Sequence, residues 1–292
     1  MDITFQSLER CTLGEITALW NEGFSEYLND MSYTEERMAA RLKRYRIDLS
    51  LSVAVYLDGQ PAGFVQIGVQ QAHGVKTAWN AGTGIHPACR GKGVGKELLQ
   101  EAIRRLKGAD VHSFSLETRV ENKPAIALYQ RVGFESVNRL SLFENRGVIS
   151  PFPLSDRVYT SAPMAPEALR ELPFYLRNSR WIDQWFHMRE DQTLVVCDAA
   201  GDRVGYALFD RERDEQGNLK AIHLKHCEVK PGCPDPEGIV SYLLQRVFAP
   251  YDEAILRTAY YVPSSNDILI AMLLESGFSR LFEEHLMLLN LQ

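Results

Sequence analysis

The chain has 292 residues, of which 45% are hydrophobic and 24% charged, with a net charge of −6 and five scattered cysteines. This balance is typical of globular domains in water, the length suits two of them, and the acidic charge argues against a nucleic-acid partner. No run reaches the ~18 apolar residues of a membrane-spanning helix, and the N-terminal stretch lacks the pattern of a signal peptide. We therefore expect a cytoplasmic protein with reduced thiols and no membrane partner.

The first half of the sequence alternates between helix and strand signals. Apolar residues at helical spacing predict two helices before residue 50, and Asp58-Gly59 is a favoured hairpin turn between two apolar runs. The same reasoning continues to about residue 145 and predicts a mixed α/β fold. The predicted helices cover 13–28, 34–47, 94–107 and 124–132, and the later strands end near Ile85, Val120 and Phe143.

Residues 145–156 contain two prolines and a glycine among small polar residues, which predicts a linker between domains at 1–147 and 155–292. After this stretch the pattern restarts. Three segments of the second half resemble segments of the first, and their start positions differ by 142, 144 and 144 residues. These matches predict a duplicated unit of roughly 140 residues. The matched pairs are 59–64 with 201–206, 85–89 with 229–233, and 122–134 with 266–278.

The stretch Arg-Gly-Lys-Gly-Val-Gly-Lys, residues 90–96, joins a predicted strand to a predicted helix. It is neither a P-loop, which needs Gly-Lys followed by Ser or Thr, nor the dinucleotide motif Gly-x-Gly-x-x-Gly. A helix start nevertheless leaves amide groups unpaired and carries partial positive charge, and glycine lets a ligand approach the backbone. The loop therefore predicts an anion site that suits two linked phosphates. The alternative is a tight strand-to-helix turn with solvated basic side chains.

The order of strand, Ile-x-Pro, glycine loop and helix resembles the acetyl-CoA loop of the GCN5-related N-acetyltransferases (GNAT). Residues 116–134, LETRVENKPAIALYQRVGF, resemble the second signature of that family. The resemblance implies an α/β (α+β mixed sheet) protein of two tandem GNAT (acyl-CoA N-acyltransferase) folds, with acetyl-CoA as cofactor and no metal. The residues implied to bind the coenzyme are Ile85, His86, Arg90, Gly91, Lys92, Gly93, Val94, Gly95, Lys96 and Asn122.

Acetyl transfer to an amine needs a neutral amine, a polarised thioester carbonyl and a proton for the leaving thiolate. The resemblance implies that Tyr129 supplies that proton, although a packed aromatic side chain is the alternative. Glu117 shares a strand face with Ser113 and Ser115, and in some family members a glutamate at this spacing is the base; a plain strand-end carboxylate is the alternative. Backbone amides near Ile85 would polarise the carbonyl.

In this family the acceptor amine meets the first helices and their loop, which here supply Tyr27, Tyr33 and Glu26. Acidic and aromatic side chains suit a cation, although an exposed helix face would look the same. The resemblance thus implies an acceptor that is a small-molecule or peptide amine, for a monomer or a homodimer.

The duplicated alignment predicts a degenerate, non-catalytic GNAT-like second domain. Arg90 and Lys92 align with Pro234 and Pro236, and Gly91 and Gly93 align with Asp235 and Glu237, so the loop loses amide donors and gains negative charge. The two candidate catalytic groups are also replaced: Glu117 aligns with Tyr261, and Tyr129 aligns with Leu273.

The sequence therefore predicts an acetyl-CoA-dependent N-acetyltransferase that moves an acetyl group to a primary amine by direct attack, in its first domain. An acyl-CoA-binding pseudoenzyme, acting as a sensor or interaction protein without turnover, is the main alternative. A related enzyme that acylates a hydroxyl or a thiol is a second one. Retention of both Tyr129 and Glu117 favours turnover.

Overall fold

The computed structural model describes residues 2–27, 30–177 and 179–292. The helix predicted at 13–28 is too long, since it ends at Gly23, and residue 28 lies outside the described residues. The chain divides into a first unit, Met1–Val137 with Leu286–Gln292, and a second unit, Asn138–His285. These bounds differ from the ranges 1–147 and 155–292. Within 145–156, predicted as a linker, Ile149 and Phe152 are buried in the core of the second unit.

The elements follow in chain order. The first part of the chain forms β1 (Ile3–Ser7), α1 (Leu13–Gly23), α2 (Glu35–Arg44), β2 (Val53–Leu57), β3 (Gln60–Ala72), β4 (Val75–Ile85), α3 (Val94–Gly108), β5 (Ser113–Arg119) and α4 (Lys123–Arg131). The remainder forms β6 (Glu135–Asn145), β7 (Thr160–Ala162), α5 (Pro166–Leu169), β8 (Thr193–Cys197), β9 (Arg203–Arg213), β10 (Leu219–Val229), α6 (Pro236–Phe248), β11 (Leu256–Pro263), α7 (Asp267–Glu275) and β12 (Ser279–Asn290). None of the helices in the described ranges is both long and apolar enough to cross a membrane.

In the first unit the strands lie in the order β1-β2-β3-β4-β5, followed by the end of β12. The backbone amide of Leu291 donates to the carbonyl of His112 at 2.9 Å, and Met287 and Leu291 are buried in this unit's core. This burial explains why the last seven residues belong to the first unit. The strands β4 and β5 are parallel and pair only from Thr77 to Trp79, so the rest of β4 has no partner on that side among the described residues.

Helices cover both faces of the first unit's sheet. Along β2 the side chains alternate: Val53 and Val55 lie in the core formed with α3, whereas Ala54 lies in the core formed with α1 and α2. Strands buried on both faces are rich in apolar residues throughout, which is what β2 and the middle of β3 show. The site described below lies where the helices α1, α3 and α4 meet the unpaired end of β4.

In the second unit the order is the start of β12, then β6-β11-β10-β9-β8-β7. Its pairing repeats that of the first unit at the offsets found in the sequence. Phe64 pairs with Gly84 in the first unit, and Tyr206 pairs with Glu228 in the second. Both α4 and α7 end before a glycine with positive φ, Gly133 and Gly277. The predicted duplication is therefore confirmed at the level of strand register.

Candidate active site

The glycine loop adopts a conformation that exposes its backbone. Gly91 and Gly93 have φ of 74° and 84°, and a Cβ on either would find no heavy atom within 4 Å. Within the described part of the chain, the amides of residues 91–95 donate to no protein acceptor, whereas the amide of Lys96 turns back to the carbonyl of Gly93 at 3.0 Å. Adjacent amides of this kind at the start of a 15-residue helix are able to bind an anion. The geometry fits the predicted diphosphate.

The side chains of this loop have separate roles. Val94 is buried in the core, so only its backbone is available to a ligand. The guanidinium of Arg90 contacts Glu26 at 2.6 Å and donates to the carbonyls of Ile85 (3.1 Å) and Gly23 (3.3 Å). Arg90 was predicted to bind the coenzyme and Glu26 the acceptor. Their contact brings the glycine loop to the end of α1.

The end of β4 presents backbone groups away from β3. The amide of His86 donates to the carbonyl of Ala62 at 2.9 Å, and hydrogen-bonded and non-bonded pairs alternate in an antiparallel ladder. The N–H and C=O of Ile85 therefore point to the side from which β5 has diverged. The amide of His86 is thus hydrogen-bonded within the sheet, and the Nδ1 of the His86 ring accepts a hydrogen bond from the amide of Ala88 at 3.2 Å.

Tyr129 lies on α4 and is 8% exposed. Burial raises the pKa of its hydroxyl to about 12, against the smaller lowering effect of hydrogen bonding with Thr83 and then Asn80; the nearby Tyr27 raises it slightly. The phenol therefore keeps its proton at neutral pH and is a hydrogen-bond donor. Asn122 positions the helix, since its Oδ1 accepts from the amide of Ala125 at 3.3 Å as the N-cap of α4.

Glu117 lies on β5, two residues beyond the last residue that pairs with β4. Its Oε2 accepts a hydrogen bond of 2.7 Å from the indole nitrogen of Trp79, which is 5% exposed. Sequence reasoning missed Trp79, because only the register of the parallel pair brings it beside Glu117. The indole fixes the orientation of the half-buried carboxylate at the place where β4 and β5 separate.

The remaining predicted acceptor residues lie at the end of α1 and before α2. Tyr27 is 37% exposed and its ring meets the edge of Phe24. Tyr33 lies beneath the guanidinium of Arg37, 5.2 Å from the ring centroid, and packs edge-on against Trp20. Tyr27 is therefore the more accessible of the two aromatic rings.

The second unit has a different arrangement at the corresponding helix start. Asp235 is the N-cap of α6: its Oδ1 accepts from the amide of Gly238 at 3.0 Å, and its Oδ2 accepts from the hydroxyls of Ser155 (2.6 Å) and Tyr159 (2.8 Å). The hydrogen bond from Ser155, followed by that from Tyr159, lowers the pKa of this carboxyl. A protein carboxylate thus occupies the helix start that corresponds to the glycine loop of the first unit.

The second unit also lacks both candidate catalytic groups. Leu273, at the position of Tyr129, is fully buried in the core. The alignment of Glu117 with Tyr261 was wrong by one residue. Tyr261 has a φ of 54° at an irregularity in β11. The pairing of β11 with β10 shows that Tyr260 occupies the position that Glu117 has in the first unit. The ring of Tyr260 stacks on His223 with centroids 5.1 Å apart, where the first unit has Glu117 and Trp79.

The histidines of β10 are packed within the second unit. His226 is 2% exposed, its ring lies 2.8 Å from the hydroxyl of Ser179, and burial lowers its pKa to about 3. His223 lies 2.7 Å from the hydroxyl of Thr258. Over residues 2–27, 30–177 and 179–292, no three His, Cys, Asp or Glu side chains are grouped as a metal site would require.

Comparison with known proteins agrees with this geometry. Residues 14–134 match the acetyltransferase (GNAT) family. A mycothiol acetyltransferase of Pseudarthrobacter chlorophenolicus is 31% identical over 120 residues, which are 40% of this chain and 37% of that relative. The match thus spans little more than a third of the relative's length.

Two solved structures resemble the chain over nearly its whole length. A GCN5-related N-acetyltransferase from Sphaerobacter thermophilus superposes with a TM-score of 0.66 at 15% identity, covering 99% of this chain and 96% of that one. A tandem GNAT protein from the clavulanic acid biosynthesis pathway gives 0.57 at 15% identity, covering 100% and 99%. The predicted tandem fold is thereby confirmed. Residues 14–134 thus carry the sequence match to the acetyltransferase (GNAT) family, and the chain as a whole has the tandem GNAT fold.

Proposed function

We propose that the first unit transfers an acetyl group from acetyl-CoA to a primary amine by direct attack, and that the second unit binds no coenzyme. The observation that carries the proposal is the row of amides at residues 91–95, which have no acceptor in the part of the chain that the structure describes. The row lies next to an opened strand end with Glu117 and Tyr129 beside it. The relative named as a mycothiol acetyltransferase supports the same class of reaction.

The amides of residues 91–95 and the side chains of Lys92 and Lys96 would hold the diphosphate of the coenzyme. The open edge of β4 would hold its pantetheine arm, with the amide of Ile85 polarising the thioester carbonyl. The bound coenzyme supplies an acyl group on a good leaving thiol. Arg90 must leave Glu26 if its guanidinium is to reach a phosphate, and Glu26 would then face the acceptor.

The amine would reach the carbonyl from the end of α1, past Tyr27 and Glu26. A free alkylammonium has a pKa near 10.4, so the proton must be removed for attack. Glu117, oriented by the indole of Trp79, accepts the proton that the amine loses, directly or through one water. The C–N bond forms, the C–S bond breaks, and the protonated phenol of Tyr129 gives its proton to the sulfur. Solvent then gives a proton to the Tyr129 phenolate and takes the proton from Glu117, so both groups return to their starting states.

The experiment is a thiol-release assay with acetyl-CoA and a panel of acceptors: peptide N-termini, lysine, polyamines and amino sugars, with alcohols and thiols in separate arms. We expect turnover with at least one amine. Replacing Tyr129→Phe or Glu117→Gln should lower kcat about 100-fold, since general acid–base groups contribute roughly that much. Tyr56→Phe, on β2, is the matched control and should leave kcat unchanged.

Three results would contradict the proposal. Coenzyme binding without turnover of any acceptor would favour a sensor. Turnover only in the alcohol or thiol arm would assign a different acyl transfer. Full activity of both Tyr129→Phe and Glu117→Gln would show that these residues are not the acid and the base of the reaction.

A further inference from the structure

A buried arginine lies behind the candidate active site. Arg41 of α2 is only 8% exposed. Its guanidinium lies 4.3 Å from the ring centroid of Trp20, 4.8 Å from that of Tyr45 and 5.8 Å from that of Tyr33. Burying a charge is costly unless it gains compensating contacts, and three aromatic faces provide part of that compensation.

The guanidinium also donates a hydrogen bond to the carbonyl of Ala81. Ala81 is the extra residue of a bulge in β4, because Gln66 pairs with Gly82 while Ile67 pairs with Asn80. A bulge leaves backbone groups without partners in the ladder. Arg41 therefore binds a carbonyl that the sheet itself does not satisfy.

The bulge is held from both sides. Trp20, on which Arg41 lies, covers Gly82 so closely that a Cβ there would come within 2.6 Å of its ring. Within the bulge, the side chain of Asn80 donates to the hydroxyl of Thr83 at 2.8 Å and accepts from the amide of Gly82 at 3.1 Å. These contacts fix the path of β4 over four residues.

This segment reaches both parts of the candidate chemistry. Thr83 and Asn80 lie near enough to the phenol of Tyr129 to lower its pKa, and Trp79, next to the bulge, holds the carboxylate of Glu117. The bulge also begins one residue after Trp79, where β4 and β5 stop pairing. The segment held by Arg41 therefore lies between Trp79, which binds Glu117, and Thr83, which lies near Tyr129, and a shift of the bulge would move both.

The second unit shows that the bulge belongs to the fold. In β10, Leu224 pairs with Phe209 and His226 pairs with Leu208, so Lys225 is the extra residue at the same place. In the second unit, the side chain of the extra residue itself makes a contact, since the Nζ of Lys225 lies 3.6 Å from the sulfur of Met188. The arginine in its aromatic cage is thus a feature of the first unit's version.

We propose that Arg41 is a positioning residue for acetyl transfer: from its aromatic cage it fixes the β4 bulge, and thereby the position of Trp79, the partner of Glu117, and of Thr83 near Tyr129. The inference rests on the proposed function. Loss of Arg41 should lower kcat while leaving the affinity of the glycine loop for acetyl-CoA in place, because the loop lies on the other side of Ile85. A misplaced reacting group costs up to about 100-fold in rate.

The test compares Arg41→Ala and Arg41→Lys with Lys43→Met, an exposed cation on the same helix. We expect kcat to fall about 10- to 100-fold in Arg41→Ala, with the Kd for acetyl-CoA changed less than about threefold. Added guanidinium at millimolar concentration should restore part of kcat in Arg41→Ala, since it can re-enter the cage, whereas urea should not. Arg41→Lys should retain an intermediate kcat, and Lys43→Met should match the unmodified chain.

A readout without turnover separates this inference from the proposed function. Hydrogen exchange of the peptide spanning residues 79–85 should accelerate in Arg41→Ala and not in Lys43→Met. If the unmodified chain transfers no acetyl group, the proposed function fails. Hydrogen exchange at residues 79–85 still tests whether Arg41 holds the bulge at Ala81. Unchanged exchange, or a kcat loss that guanidinium and urea restore equally, would overturn the role of Arg41.

Discussion

The helix starts of α3 and α6 occupy the same place in two copies of one fold, yet their backbone amides have different partners. At α3 the amides of residues 91–95 have no protein acceptor within the described chain. At α6 the carboxylate of Asp235 accepts from the amide of Gly238 and from two hydroxyls. A helix start attracts negative charge in either case, and the side chains decide whether the charge is a ligand or part of the protein.

The same contrast extends to the strands behind these helices. Trp79 and Glu117 form a hydrogen-bonded pair in the first unit, whereas His223 and Tyr260 stack in the second. Strand pairing, bulge and helix caps are kept, while Glu117 and Tyr129, the proposed catalytic groups, are replaced. Under the proposed function, fold and chemistry have therefore separated within one chain.

The largest effect is expected when the first loop is given the charge of the second. Gly93→Glu puts a carboxylate beside the proposed diphosphate site and should weaken acetyl-CoA binding more than about 100-fold, through like-charge repulsion and a blocked backbone. The variant also introduces a side chain at a φ of 84°. Titration calorimetry measures the affinity.

The control for that variant is Gly59→Glu, at a hairpin turn with a φ of 77° and equally open surroundings. It carries a similar backbone cost, about 1–2 kcal/mol, without a ligand nearby. Equal losses of affinity in the two variants would show that strain, and not charge at the loop, explains the result.

Glu228 is a second difference between the two units, because it occupies the position that Gly84 has in the first unit. Burial raises its pKa to about 7, against the lowering effect of a hydrogen bond with Asn266. A carboxyl with a raised folded pKa favours the fold below pH ~4.5 and loses that contribution as pH rises through about 7. Between pH 5 and pH 8, the free energy of unfolding should therefore fall by on the order of 2 kcal/mol less in Glu228→Gln than in the unmodified chain.

Chemical denaturation at several pH values measures this difference. Glu237→Gln, which changes a carboxyl in the first turn of α6, serves as the comparison. Parallel pH dependences for the unmodified chain and Glu228→Gln would contradict the assignment of a raised pKa to Glu228.

The smallest effect is expected at the cap of α6. Asp235→Ala removes the N-cap and the acceptor of two hydroxyls, so the free energy of unfolding should fall by about 1 kcal/mol. Acetyl-CoA binding should stay at one per chain, because Pro236 still lacks an amide donor. Asp156→Ala, at an exposed neighbour of Ser155, should change neither quantity. A second bound coenzyme in Asp235→Ala would mean that the carboxylate alone blocks the site.

The local signals predicted the larger features well. The strand-to-helix turn at the glycine loop and the repeat both depend on residues close together in the sequence, and both are confirmed in the fold. The contacts that a sequence pattern cannot give join distant segments: Ser155 and Tyr159 with Asp235, Arg41 with Ala81, and Trp79 with Glu117.

Two differences have specific physical causes. One irregular residue in β11, Tyr261, shifts the alignment of the residues before it with the first unit by one position. The constant offset of 144 residues between the matched segments on either side does not reveal this shift. The segment around Phe152 looks like a linker by its prolines, yet its apolar side chains are buried in the second unit's core. Prolines mark the absence of regular structure, and they do not mark the absence of packing.

The most direct test of the contrast between the two helix starts is amide hydrogen exchange with and without acetyl-CoA. We expect the coenzyme to slow exchange in the peptide covering residues 90–97 and to leave the peptide covering residues 232–240 unchanged. Protection of residues 232–240, or none at residues 90–97 at saturating coenzyme, would contradict the account.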